Sequence, residues 1–177
     1  MSSTLTDLLA TALAARAPLI AQLAAEDTDA WRLFHGTVEG APGITVDRYG
    51  AVLLAQTFHR PLTVEQLAEL EAFYAQALPG LPLVWNDRSG KNSRIANTLS
   101  PEQQALAEQP SEFSELGVRY RFQARHAGQD PWLFLDLRAA RRRVMQEAEG
   151  KSLLNVFAYT CGVGVAAAKA GARHVVN

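Results

Sequence analysis

Leucine and alanine recur at helical spacing from about Leu5 to Ala25, a period that predicts a helix. Pro18 falls inside that stretch and is expected to divide it into two short helices, because proline removes a backbone donor and crowds the preceding turn. From Trp31 the period shortens. Three strand-like runs, at about Trp31–His35, Gly43–Asp47 and Val52–Phe58, are separated by the turns "EGAPG" and "RYG". They predict an antiparallel meander. "PLTVEQLAELEAFYAQAL" then returns to helical spacing, with Leu67, Leu70, Phe73, Tyr74 and Leu78 on one stripe. Thr63 and Gln66 have the spacing of a capping box at its start.

The second half alternates again. "LPLVWNDR" predicts a strand, and the polar "SGKNSRIANTLSPEQQALAEQ" predicts a loop with a short helix after Ser100-Pro101. "SEFSELGVRYRFQAR" alternates on both sides of Leu116-Gly117, which suggests a hairpin. In "WLFLDLRAARRRVMQEAEG" an apolar run leads into a helix, with Asp136 as its cap and Gly150 as its stop. The final segments, "SLLNVF", "AYTCG", "VGVAAAKAG" and "ARHVVN", read as strand, turn, helix and strand. Such a β-α-β unit joins two parallel neighbours by a crossover. The expected class is therefore α/β: a helical segment over 1–30, a mixed α/β module over 31–130, and the start of a Rossmann-like domain over 131–177.

Composition changes this picture little. The chain has 177 residues, 48% hydrophobic and 20% charged, as in ordinary soluble domains. No uninterrupted apolar run approaches the ~20 residues of a membrane span. The N-terminus lacks the basic-then-apolar order of a secretion signal. No membrane partner is expected. One cysteine excludes an internal disulfide and fits a reducing cytoplasm.

Charge is more informative by position than in sum. The net charge is -1, so nothing global draws the chain to nucleic acid. Arg119, Arg121, Arg125, Arg138, Arg141, Arg142 and Arg143, however, crowd a stretch whose acids are Asp130 and Asp136. That run is either a local phosphate-binding region or a pair of solvated faces, one on a helix and one on a strand.

The terminal turn carries the candidate chemistry. A strand entering a glycine-containing turn and a helix start presents backbone N–H groups to a ligand, and Gly162 and Gly164 let it approach closely. "GVGVAA" matches the dinucleotide spacing G-x-G-x-x-A. Phe157 to Cys161 nevertheless intervene between Val156 and Gly162, whereas the dinucleotide fingerprint begins directly after its strand. A longer turn suits a methionine and ribose moiety better than a pyrophosphate.

"GKSLLNVFAYTCGVGVAAAKAGARHVVN" resembles motif I of the class I S-adenosylmethionine-dependent methyltransferases. It is most similar to those that modify 23S ribosomal RNA, whose loop reads F-x-Y-T-G-x-F. "WLFLDLRAARRRV" resembles the F-L-D-x-R-x-x-R segment that precedes the first Rossmann strand in those enzymes. "FHGTVEGAPGITVDRYGAVLLAQ" is similar to the H-G-E-x-D-G-x-P-G-L-x-V-D-R-Y-G block of the large-subunit cytosine-C5 methyltransferases. "WNDRSGKNSR" stands where that family has a similar arginine-containing stretch. The blocks occur in family order and cover roughly Trp31 to Asn177.

The resemblance implies S-adenosylmethionine as cofactor, ribosomal RNA as partner, and methyl transfer to a base, with cytosine C5 leading. It places Phe157, Tyr159, Thr160 and Gly162 on the cofactor loop, with Asn155 ordering that loop or capping it. It sets Phe134, Asp136 and Arg138 at the border of the pocket. The plainer alternatives are a packed strand-to-helix turn, a helix cap and a surface cation. Cys161 stands where the family has glycine, and Val163 where it has phenylalanine. The acidic ribose ligand, the nucleophilic cysteine and the acceptor pocket are expected beyond Asn177, so the isolated chain is expected to be inactive. Two parallel strands and one helix would leave open edges that invite association with another copy.

Cys161, in the cofactor turn rather than opposite an acceptor, reads as a small packed residue. His35 and Asp47 read as fold residues, since neither has the spacing of a metal or triad partner. Trp31, Trp85 and Trp132 read as packing residues that could also stack on bases. The rival functions are a noncatalytic RNA-binding or assembly module and a nicotinamide-dependent oxidoreductase.

Overall fold

The computed structural model describes residues 3–156 and 158–177. Helix α1 spans Leu5–Ala25. Thr4 and Asp7 form a capping box at its start: the Thr4 hydroxyl accepts from the Asp7 N–H, and the Asp7 carboxylate accepts from the Thr4 N–H. Pro18 lies within this one helix rather than dividing it as expected. Pro18 and Ala14, whose carbonyl would have bonded to residue 18, are both exposed, so the broken bond faces solvent. At 21 residues α1 is, by length and composition, apolar enough to cross a membrane, contrary to expectation, because its alanines count as apolar. Its contacts are those of a packed helix. Leu9, Ala12 and Leu23 are buried in the core, Thr6 bonds Glu69 on helix α3 (Val64–Ala77), and Arg16 pairs with Glu39 at 2.5 Å.

Strands β1 (Ala30–His35), β2 (Ile44–Tyr49) and β3 (Val52–Thr57) form the expected antiparallel meander. A short helix α2, Gly36–Glu39, bridges the first two strands. Helix α3 crosses over to strand β4, Leu83–Asp87, which pairs parallel with β3. Thr63 and Gln66 form the predicted capping box of α3. The sheet order is β1-β2-β3-β4.

The two faces of this sheet have different covers. On one, Trp31, Leu33, Phe34, Val46, Leu53 and Ala55 pack with Leu9 and Leu23 of α1 and Leu70 and Tyr74 of α3. On the other, Tyr49, Val52, Leu54 and Val84 pack with Phe113 and Phe122. Those two aromatics come from the hairpin β5 (Ser111–Glu115) and β6 (Val118–Phe122). The Tyr49 and Phe122 rings stack at 4.3 Å, a geometry aromatic pairs favour. Leu116 and Gly117 have φ of 54° and 71°, which a two-residue turn matched to strand twist requires. The Asp29 carboxylate accepts from the Ser114 N–H at 2.7 Å, and the Thr28 hydroxyl from the Leu116 N–H at 2.9 Å, stitching the hairpin beneath the sheet. Helix α4, Pro101–Glu108, follows Ser100 as predicted, and Ser100 caps it in a capping box with Gln103.

A 3-10 turn at Leu135–Leu137 leads into helix α5, Arg138–Glu147. Asp136 is not its cap. Leu137 holds that position without a side-chain bond, because the preceding turn already supplies local pairing. The last unit is the expected β-α-β: β7 (Ser152–Leu154), α6 (Gly162–Lys169) and β8 (His174–Val176), with the strands parallel. α5 packs on α6.

Candidate functional site

The turn after β7 is wide. Gly162 opens α6 only after the loop 155–161, rather than abutting Leu154. Tyr159 and Cys161 both have positive φ, 50° and 63°, the left-handed region that L side chains enter at a cost. The backbone at position 161, where the resemblance predicts glycine, adopts the conformation glycine favours. The Cys161 thiol is half-buried and unpaired, consistent with a structural place in the turn.

The loop is held against the segment before α5. The Tyr159 hydroxyl donates to the Asp130 carbonyl at 3.1 Å, and the Thr160 hydroxyl to the Trp132 carbonyl. The Phe134 and Tyr159 rings lie 5.5 Å apart. Gly162 permits the close approach of α6 to Leu133, whose side chain occupies the space a Cβ would need. From the other side, the Tyr120 hydroxyl donates to the Gly162 carbonyl at 3.3 Å. Burial pushes its phenol up to about 12.

Together these pieces enclose a cavity of about 140 Å³. Of the expected cofactor residues, Phe134, Asn155, Tyr159, Thr160 and Gly162 line it. The Asn155 amide donates to the Asn177 side chain at 2.8 Å. That ties the end of β7 to the residue after β8, and Gly164 leaves the room that the Asn177 side chain fills. Phe157 lies outside the described residues. Asp136 is exposed and does not line the cavity. Arg138 turns away from it, donating to Glu115 at 2.8 Å and to the Ala30 carbonyl.

Sequence reasoning missed several lining residues, among them Leu133, Leu137 and Ala158, and the one charged member, Arg141. It is 1% exposed, as is Glu115. It donates to Glu115 at 2.5 and 3.0 Å and to the Phe134 carbonyl at 3.0 Å. One buried carboxylate thus gathers two guanidinium groups and fixes the backbone at the cavity wall. Buried charges persist only when paired in this way. The signal in sequence was weak: Arg138 and Arg141 share a helix face by their spacing, but nothing marks Glu115 as their partner.

The same pairing settles the arginine run. Arg142 pairs with Glu26 at 2.5 Å, Arg143 with Glu147, and Arg119 with Glu112 at 2.6 Å. Arg125 bonds Asn86 and Asn97. Among the described residues, Arg121 is the member of the run with no ion pair or side-chain hydrogen bond. It is exposed and lines, with Tyr120, Trp132, Leu133 and Thr160, an adjoining hollow of about 200 Å³. The run therefore divides: Arg125, Arg138 and Arg141 are spent on internal bonds, whereas Arg119, Arg121 and Arg143 stand on solvated faces. Trp31 and Trp85 are packing residues, and Trp132 forms part of the cavity wall.

A parallel strand pair, a crossing helix and a wide turn over a cavity define a Rossmann-like unit, whose lead-in residues Leu133 and Leu135 pack into the core beneath the four-stranded sheet. The chain belongs to the S-adenosylmethionine-dependent methyltransferase family, whose model matches residues 31–177. It is 35% identical over 171 residues to a ribosomal RNA large subunit methyltransferase of Deinococcus radiodurans, covering 94% of this chain and 41% of the relative. It is 34% identical over 157 residues to ribosomal RNA large subunit methyltransferase I of Shewanella denitrificans, covering 83% and 37%. The chain thus spans about two fifths of the length of these relatives. A structure assigned as a SAM-dependent methyltransferase from Streptococcus mutans superposes with a TM-score of 0.74 at 24% identity, over 99% of this chain and 45% of that one. A second, assigned as a methyltransferase and complexed with SAH, gives 0.72 at 24% identity, over 99% and 44%. That identity speaks to the fold. The family match sets the nicotinamide alternative aside.

Proposed function

We propose that this chain carries the donor-binding portion of an enzyme that methylates a base of large-subunit ribosomal RNA, with carbon 5 of cytosine the leading acceptor. In this reading residues 31–130 face the RNA, with the segment 1–30 packed on them, and 131–177 open the methyltransferase domain. An RNA of the ribosome as substrate makes the cytoplasm the site of action. The observation that carries the reading is the wide, lined turn after β7, in a chain whose relatives are named for ribosomal RNA methylation.

The residues present fit the donor. Phe134 and Tyr159 offer aromatic surface, Asn155 and Thr160 offer polar groups, and the buried Gly162 starts a helix. The cavity of about 140 Å³ is smaller than the ~300–1,000 Å³ of a site that takes a whole drug-sized ligand, so these residues grip one end of the donor. Bound there, S-adenosylmethionine would supply an electrophilic methyl group. The protein's part is to orient that methyl toward its acceptor. Arg141, through the Phe134 carbonyl, and Tyr120, through the Gly162 carbonyl, hold the walls in place.

Calorimetric titration of the chain with S-adenosylmethionine, SAH and NAD tests the reading. Binding of the first two and not of NAD is expected, weakened by Tyr159→Ala. Equal binding of NAD, or none of S-adenosylmethionine, would refute it.

A further inference from the structure

The α/β module has a second polar cavity, of about 290 Å³, on the open end of its four-stranded sheet. His35 pairs across to Thr45, and Thr45 to Gln56. Directly paired residues of antiparallel strands share a face, so these three form a transverse row over β1, β2 and β3. Two residues along β2, on that same face, lies Asp47, which takes Arg32 in a two-point ion pair at 2.8 and 2.9 Å. A register irregularity between Arg32 and Phe34 is what returns Arg32 to the face of His35, since a bulge shifts the alternation by one. This is also the face that carries Tyr49, Val52 and Leu54. The hairpin β5–β6 covers that apolar end and leaves the polar end uncovered.

All three members of the row carry a buried polar atom without a hydrogen-bond partner: His35 Nδ1, Thr45 Oγ1 and Gln56 Nε2. Gln56 is 4% exposed. Orphaned buried polar atoms are uncommon and cost stability. Three in one row, all on residues lining one cavity, are explained by a ligand that supplies their partners. Small rotations of the Thr45 hydroxyl and the soft terminal torsion of Gln56 bring these groups to it.

The chemistry of the ligand follows from charge and shape. Asp47 neutralises Arg32, so the cavity has little attraction for a free anion. An amide beside a hydroxyl and an imidazole offers interleaved donors and acceptors, which is how protein side chains read the edge of a nucleobase. Phe58 and His59 at the rim supply rings, as proteins that bind unpaired RNA do.

We propose that this cavity is a subsite for one unpaired base of the RNA substrate, read by Gln56, Thr45 and His35. The inference rests on the RNA reading above and adds a second point of RNA contact, apart from the donor cavity. It is tested on the whole chain by NMR titration of backbone and side-chain amides with a mixed-sequence single-stranded RNA hexamer, an RNA duplex and inorganic phosphate. The variants are Thr45→Val and Gln56→Leu, which keep shape and remove the unpartnered groups. The hexamer is expected to shift the amides of Thr45 and Gln56, and the duplex and phosphate are not. Each variant is expected to weaken hexamer binding by about twofold to tenfold, the range of one neutral hydrogen bond, with a melting temperature equal to or above that of the parent. Phosphate shifting the same amides, hexamer binding unchanged in both variants, or no shift at millimolar hexamer each overturns the subsite. S-adenosylmethionine titrated in parallel separates the failures: donor binding without hexamer binding sinks the subsite alone, whereas loss of both sinks the methyltransferase reading as well.

Discussion

The two ends of this molecule are built to different standards. The α/β module closes a four-stranded sheet between two helices and a hairpin, and its core residues Phe34, Val46, Leu53 and Ala55 are wholly buried. The β-α-β unit has two strands of three residues each, and Leu154, Val156 and Val176 stand 71%, 61% and 59% exposed. A parallel sheet is normally covered on both faces. The module therefore derives its order from its own burial. The terminal unit derives it from attachment: α5 against α6, Tyr120 on Gly162, and Tyr159 and Thr160 on the segment 130–132. The main core and the candidate donor site thus lie in different regions, joined at Leu133 and at the Glu115–Arg141 pair.

The largest effect is expected where the two regions are joined. Glu115→Ala leaves Arg138 and Arg141 without their buried partner, and breaking such a cluster costs about 3–5 kcal/mol. Urea denaturation should show that loss, and a cost below about 1 kcal/mol would mean the two regions are not coupled there. The contrast in packing comes next. Phe122→Ala, at the stack with Tyr49, is expected to cost about 3–5 kcal/mol, and Leu154→Ala no more than about 0.5 kcal/mol. Comparable losses would erase the distinction between the regions.

Alkaline pH probes the same boundary. Burial raises the phenol of Tyr120 from 10.0 to about 12, and burial raises Tyr49 and Tyr74 as well. A raised folded-state value means the protonated form is favoured by folding. That stability is fully present below about pH 10 and is lost as pH rises through 12. Unfolding followed by circular dichroism should steepen in this window, and Tyr120→Phe should blunt the fall. The smallest effect is local. Cys161→Gly relieves a left-handed residue but loosens the unfolded chain, for a net change between zero and about 1 kcal/mol of stabilisation. A clear destabilisation would contradict the positive φ at that position.

Local elements were legible where their causes are local. The capping box at Thr63, the helix after Ser100-Pro101, the meander, the Leu116-Gly117 hairpin and the final β-α-β all depend on neighbours within a few residues. Pro18 misled because its effect depends on whether the freed carbonyl faces solvent, and only packing decides that. Asp136 misled because a 3-10 turn, not a side chain, starts α5. In the candidate site, Asn155, Tyr159, Thr160 and Gly162 lie on one loop and were visible together. Arg141 was not, because its partner sits 26 residues away in sequence, on a hairpin.

The amino-acid order by itself determined periodicity, caps, turns and the unusual length of the loop before Gly162, because each arises from backbone sterics and hydrogen bonds over a short span. Only the tertiary structure decided how the arginines are spent, which end of a sheet face the hairpin leaves uncovered, and which side chains meet at the cavity. Those outcomes depend on pairing buried charge and covering apolar surface between distant segments, and no short window of sequence contains both partners.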